Sequence, residues 1–524
     1  MEGTARSSSS RARPASASHA SSTSSGAGFR RASTHGSSAG ASRTDRLPEH
    51  YETIAFHAEL GEQWDQAFEY LKKSGDKALA SFASERADDF YERALALVER
   101  GSVAVEAAQR IALHDGRGQA LYLLNRWAES AASFEAMRRE AEAIGDQVQV
   151  GVALFNAGVS LFWGHRFEDA MAAAECARVI GLEHGNDAIV AGALITIEGV
   201  YSVTGDQAAA REVVEEASRF AARSQVPLLE GVTDIWAGFN HHWRGAEVRA
   251  LEIWEKGTRI GRDHALPIVL LWSLWTQSLA LLGQGRYDEA LTSLHEHLDL
   301  TRRLGDRVFR CRTLNTLGWA YMDLCNWELA VQYNQQGAEE SYPTGDPEII
   351  RNAELNLADC YLVRGDLDEA QRVLESVEEG SLRSGGWGED FMKWRYTQHM
   401  NVGLGELWLA RGDVEKALHY ADECLRGAEA SESKRNITKG RRLRGKALQT
   451  LGRSDEAAAD LELALRAARE VGNPAQIWQT LDALGRPTEA FEAIEGVAAG
   501  LADPGLRNTL LASPQVAAIR GRAG

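Results

Sequence analysis

From Leu47 onward, apolar residues recur at three- and four-residue spacing, and Pro and Gly fall where the apolar segments end. That period is one face of an α-helix, so the pattern predicts an almost wholly helical chain. The segments also repeat. GRYDEA at 285–290 sets a turn residue, a polar, an aromatic, two polars and an alanine in order. Related stretches are NRWAES (125–130), GHRFEDA (164–170), GDQAAA (205–210), GAEVRA (245–250), CNWELA (325–330), GDLDEA (365–370), GDVEKA (412–417), GRSDEA (452–457) and GRPTEA (485–490).

The final residues of these stretches are Ser130, Ala170, Ala210, Ala250, Ala290, Ala330 and Ala370, each 40 after the last. Ala417 follows after 47, an insertion assigned to the Gly-rich SLRSGGWGED region, then Ala457 after 40 and Ala490 after 33. Gly145, Gly185, Gly305 and Gly345 keep the same beat. Each unit reads as a helical hairpin. A Gly-type turn ends the first helix, the aromatic staples the pair, and the alanine lets the second helix come close. One hairpin cannot bury its own apolar face, but a stack can. The expected fold is all-α: a right-handed superhelical solenoid of about ten hairpins with a 40-residue period.

The repeat disposes of one motif. GRRLRGKA at 440–447 is close to a phosphate-binding loop, with Ala447 where Ser or Thr would hold magnesium. Twelve residues before each anchor, however, stand Gly158, Glu198, Gly238, Ser278, Gly318, Ala358, Gly405 and Gly445. Gly445 is therefore a packing position on a first helix. A phosphate loop needs glycines between a strand and a helix, so that backbone N–H groups converge. No nucleotide site and no cofactor are expected.

The histidines give no metal site. His241 shares the slot nine before the anchor with Leu161, Tyr201, Leu281, Tyr321 and Tyr361, and adjacent His242 points elsewhere. His295 and His297, two apart on a helix, do not face one ligand together. No nucleophile–base constellation stands out, and the carboxylates fall in turns and on exposed faces, so no catalytic residue is assigned.

The slot fourteen before the anchor is more informative. It holds Asn156, Thr196, Trp236, Thr276, Thr316 and Asn356. First helices line the concave face of hairpin solenoids. A ladder of Asn and Thr there could bond a peptide backbone, with Trp236 as an aromatic anchor. The plainer alternative is water-capping at a half-exposed surface. Trp127, Trp163, Trp243 and Trp327 sit near turns and read as fillers between units.

Charge and composition narrow the partners. The chain has 524 residues and a net charge of −18. Residues 1–46 carry seven Arg against Glu2 and Asp45, leaving 50 basic and 73 acidic residues beyond. So acidic a body would repel nucleic acid and anionic membrane; acidic solubility is the plain reading of the same number. The five cysteines form no C-x-x-C pair and read as small buried residues in a reducing, cytoplasmic setting. The longest apolar run, 266–282, is broken by Pro267, Ser273, Thr276, Gln277 and Ser278 and falls short of a bilayer span. Residues 1–46 are Ser-, Ala- and Arg-rich and are expected to be disordered; their composition also suits an organellar transit peptide. RRAS at 30–33 matches a basophilic kinase site.

The hairpin unit, with its small residues, G-x-Y-x-E-A and LGD, resembles the tetratricopeptide repeat over roughly 101–498. Residues 51–95 resemble the junction after the ATPase in large bacterial signalling proteins, and GLADPGLRNTLLASPQVAAIRG at 500–521 resembles their C-terminal end. Those proteins join a class III adenylate/guanylate cyclase, an AAA- or STAND-type ATPase and a tetratricopeptide region. No Walker lysine or metal-binding aspartate carries over onto this sequence. Composition and the repeat divide the chain into a leader over 1–46 and a solenoid over 101–498; to these the resemblance adds a helical junction over 47–100 and a tail over 499–524. It implies a non-catalytic scaffold that binds a protein or peptide partner, including a separate cyclase or ATPase, in signalling. The alternatives are an orphan or truncated piece of a cyclase/ATPase protein, or one with a misassigned start, and a small-molecule sensor with Trp236 at the floor of the groove.

Overall fold

The computed structural model describes residues 47–81, 83–382 and 390–524. The leader, with RRAS, and most of the Gly-rich insertion lie outside the described residues. Within Tyr51–Gly524, a single compact unit, three helices (Tyr51–Leu60, Trp64–Ala80, Ser84–Glu99) precede ten hairpins. The first helices of the last eight hairpins are Asp187–Thr204, Pro227–Trp243, Pro267–Gly283, Arg307–Asp323, Pro347–Arg364, Lys393–Ala410, Lys434–Thr450 and Pro474–Ala483. Their second helices begin at Gln207, Glu247, Tyr287, Trp327, Leu367, Val414, Ser454 and Pro487. Pro504–Ala512 and Pro514–Ala523 end the chain, and Leu510, Val516 and Ile519 pack into the same apolar cluster as Trp254 and Leu317.

The repeat works as its spacing implies. All ten anchors, from Ser130 to Ala490, are at most 1% exposed. Five residues before each anchor the backbone is left-handed, at Asn125, His165, Cys325 and seven glycines. That conformation reverses the chain in one residue, which is why glycine dominates there. Asp146, Asp306 and Asp346 cap the following helices by accepting backbone N–H bonds, so each Gly-Asp pair is a stop and a start.

The small-residue slot is set by close approach. A Cβ on Gly238 would collide with the Trp254 indole, and one on Gly318 with the Asn334 amide. Glu198 is the exception in this slot. It is fully buried and accepts bonds from Ser202 (2.8 Å) and Asn240 (2.9 Å). Burial raises its pKa from 4.5 to about 8 despite those bonds. The folded chain therefore holds a proton that the unfolded chain releases above pH 4.5. The stability tied to that proton is complete below pH 4.5 and is lost as pH rises through about 8. Glu198→Gln is expected to flatten this fall, with the Tm of the variant rising above wild type at pH 9 and matching it near pH 5. A parallel fall in both proteins would count against a buried neutral carboxyl.

The solenoid closes on itself. Met392 N donates to the Val203 carbonyl (2.9 Å) and Trp394 Nε1 to the Ser202 carbonyl (3.1 Å). Glu432 takes Arg211 and Arg244 at 2.6 and 2.9 Å. Asn473 Nδ2 donates to the Leu282 carbonyl (3.2 Å), and Ala502 N to Asp288 (2.5 Å). These partners stand about 190–220 residues apart, so the last hairpins lie against the middle ones. Among the described residues, one helix, Asp187–Thr204, is long and apolar enough to cross a membrane, but 78% of it is buried within the fold.

Candidate functional site

The closing turn leaves a cavity of ≈ 340 Å³ at the axis. Nearly all its wall comes from first helices, in a stripe one or two residues wide per turn. Most of its members stand 22, 18, 15 or 14, 11, and 8 or 7 residues before the anchors. At 22 before are Glu348, Arg395 and Arg435; at 18 before, Trp272, Arg312, Asn352, His399 and Lys439. At 11 before are Phe239, Leu279, Trp319, Asp359, Glu406 and Gln479. Steps of three and four residues keep one face of a helix toward one side.

Of the six candidates, Trp236, Thr316 and Asn356 line this cavity. Thr316 Oγ1 accepts from Trp275 Nε1 (3.0 Å), and Asn356 Nδ2 donates to Asn315 Oδ1 (2.6 Å). Thr196 and Thr276 are buried, and their hydroxyls donate to carbonyls of their own helices. Asn156 is not among the lining residues. Trp243 and Trp327, read above as fillers, line the cavity instead. Phe239 and Trp243 stack at 5.6 Å, Trp236 meets Trp272 at 6.5 Å, and Trp272 meets Trp275 at 5.9 Å, which makes one aromatic wall.

A charged network adjoins this wall, with the Arg312 guanidinium 5.4 Å from the Trp275 ring centre and that of Arg395 5.6 Å from Trp243. Glu348 is nearly fully buried between Arg312 Nη1 (2.6 Å) and Arg395 Nη2 (2.5 Å) and accepts a further bond from Asn352. Burial alone would raise the Glu348 pKa, but the two guanidiniums outweigh it and hold it below the usual value. Asp359 accepts from His399 (2.8 Å), which likewise overcomes burial and lowers its pKa. Asp323 accepts from the Tyr287 hydroxyl (3.3 Å), and burial raises it to about 6 against the pull of Arg435 and Lys439.

His242 and His297 are held by bonds within the fold. His242 is buried and bonded to Glu247 (2.8 Å), with its pKa lowered chiefly by burial. His297 bonds Thr313 (2.6 Å), and burial lowers it to about 4. No group of three or more metal-ligating side chains occurs among the described residues. Four cysteines are buried and Cys176 is exposed, contrary to the expectation of five buried ones.

GRRLRGKA lies inside the helix Lys434–Thr450, with Gly445 against Leu461. A Cβ on Gly445 would lie 2.6 Å from Leu461 Cγ. Overpacking of about 1–3 kcal/mol against a helix-propensity gain of about 1 leaves Gly445→Ala destabilised by at most about 2 kcal/mol. Denaturant unfolding measures that. ATP with magnesium is expected to leave both midpoints unmoved, and a midpoint raised by ATP only in wild type would restore the phosphate-loop reading.

Three tetratricopeptide repeat models match the chain, at 270–339, 352–376 and 443–471. The tetratricopeptide hairpin is the unit of this solenoid. Curated relatives include the HTH-type transcriptional regulator MalT of Serratia proteamaculans (strain 568), 28% identical over 175 residues, 31% of this chain and 19% of the relative. MalT of Yersinia enterocolitica is 28% identical over 190 residues, 33% of this chain and 20% of the relative. The chain thus spans about a fifth of the length of the curated relatives it matches. Among solved structures, a Rap protein complexed with Competence and Sporulation Factor has a TM-score of 0.42 and 13% identity, covering 78% of this chain and 98% of that one. Apo RapI has a TM-score of 0.46 and 12% identity, covering 69% and 98%.

Proposed function

We propose that this chain is a non-catalytic regulatory scaffold that seats a short peptide segment of a partner protein in the lumen of its solenoid. One observation carries the reading. First helices of successive hairpins turn chemically diverse side chains toward one cavity, where packing alone would ask for uniform apolar residues. Trp236, Thr316 and Asn356 fit as the aromatic anchor and backbone-bonding groups; the row continues along the repeat at Asn156, Thr196 and Thr276, of which the two threonines are buried and bonded within their own helices. A signalling role, with a separate cyclase or ATPase as the partner, follows from the resemblance of residues 51–95 and 500–521. The test is co-purification with the full chain and with Trp236→Ala/Asn356→Ala. A partner held by wild type and lost from the variant, without ATP hydrolysis or cyclic-nucleotide synthesis, supports the reading. Equal capture by both, or turnover that survives purification, overturns it.

The cavity volume favours a second reading, a small-molecule sensor. A cavity of ≈ 340 Å³ lies within the range of small-ligand pockets, about 300–1,000 Å³. Under it, Trp236→Ala removes the thermal shift given by a bound metabolite, whereas Asn356→Ala reduces it less.

A further inference from the structure

Most charges of the lumen meet in ion pairs. Glu348 is matched by Arg312 and Arg395, Asp359 by His399, and Glu406 by Lys446 at 3.4 Å. Arg435 lies 3.2 Å from Glu247. Two cations make no ion pair among the described residues, both on the helix Lys434–Thr450 and three residues apart, hence on one face; Glu406 attracts Arg442, and Asp323 and Asp359 attract Lys439, only at longer range. Arg442 is 5% exposed, and only its Nη1 is engaged, by Gln476 Oε1 (2.7 Å) and Thr480 Oγ1 (3.4 Å), both neutral. Lys439 makes no hydrogen bond or ion pair among the described residues, and both side chains line the cavity.

A buried charge without an ion pair is expensive, and both side chains keep N–H donors free at the cavity wall. Guanidinium has five N–H donors in a fork that matches carboxylate, phosphate or sulfonate oxygens. The cationic face adjoins the aromatic wall, since the Arg435 guanidinium lies 4.7 Å from the Trp319 ring centre. We propose that the lumen binds a small organic anion with a flat apolar body: Arg442 and Lys439 hold the anionic group, and the body rests against Trp319. This rests on the small-molecule reading of the lumen.

Two fluorescent probes separate the parts, titrated into the full chain. One is 8-anilinonaphthalene-1-sulfonate, an aromatic anion; the other is N-phenyl-1-naphthylamine, the same rings without the sulfonate. The anion is expected to bind one saturable site, at least tenfold more weakly in Arg442→Gln and in Lys439→Gln, while the neutral probe changes less than twofold. Equal effects on both probes, or no effect on the anion, would show that Arg442 serves the fold and would overturn the proposal. Should that variant not fold, Lys439→Gln decides by the same probe comparison. Anion binding indifferent to both substitutions sinks the anion site alone; failure of both probes to bind sinks the small-molecule reading with it.

Discussion

Glu348→Ala is expected to lower the unfolding free energy by about 3–5 kcal/mol, the usual loss when one member of a buried ionic cluster is removed. The cause is what remains. Arg312, 9% exposed, would keep Asp346 at 3.9 Å and its ring contact with Trp275, and Arg395 would keep its ring contact with Trp243. Burial already lowers the Arg395 pKa, so no favourable charged state offsets the loss. The triple variant Glu348→Ala/Arg312→Met/Arg395→Met should recover much of the stability, since it removes charges and restores apolar volume. Urea unfolding of the three proteins measures this. A single variant within 1 kcal/mol of wild type would mean that water reaches and solvates the cluster.

The second large effect is expected at Trp254. This side chain is fully buried, donates from Nε1 to the Ile235 carbonyl (3.0 Å), and sits where Gly238 leaves room for it. Trp254→Ala opens a cavity beside a glycine that cannot fill it, and large aromatic truncations cost about 3–5 kcal/mol. The lost hydrogen bond leaves the Ile235 carbonyl no worse off within its helix, so the cavity dominates. Because hairpins are stabilised by their neighbours, the loss should open the hairpin Pro227–Asp263 and those beside it ahead of Trp64–Glu99. Hydrogen exchange resolves that order; uniform acceleration along the chain would show that the solenoid unfolds as one unit.

The architecture was legible because it is local and repeated. Ala170 through Ala370 keep an unbroken 40-residue step, and each anchor must be small for its two helices to touch. The lumen was half legible. The slot fourteen before the anchor names Trp236, Thr316 and Asn356, but the wall is a stripe that includes the slots one turn before and one turn after. Arg312 and Lys439 share the slot eighteen before with Trp272, and that shared position was the available signal. Glu198 sat visibly in a row of small residues, an oddity that pointed to a buried carboxyl.

Closure was not legible at all. Trp394 meets Ser202 and Asn473 meets Leu282 across some 190 residues, and no periodicity of 40 encodes which hairpins meet. Without closure, Trp243 and Trp327 look like fillers at turns; with it, they face the cavity. The same step turns GRRLRGKA from a near-miss phosphate loop into part of the cavity wall, through Arg442.

The most direct test is photo-crosslinking in the source cells, with Trp236→p-benzoylphenylalanine in the lumen and Val248→p-benzoylphenylalanine on an exposed position (63%) outside it. The lumen position is expected to capture a partner segment or a small ligand, identified by mass, and the exposed position to capture neither. Capture at Val248, with only intrachain products from position 236, would place the working surface outside and contradict the lumen as the site.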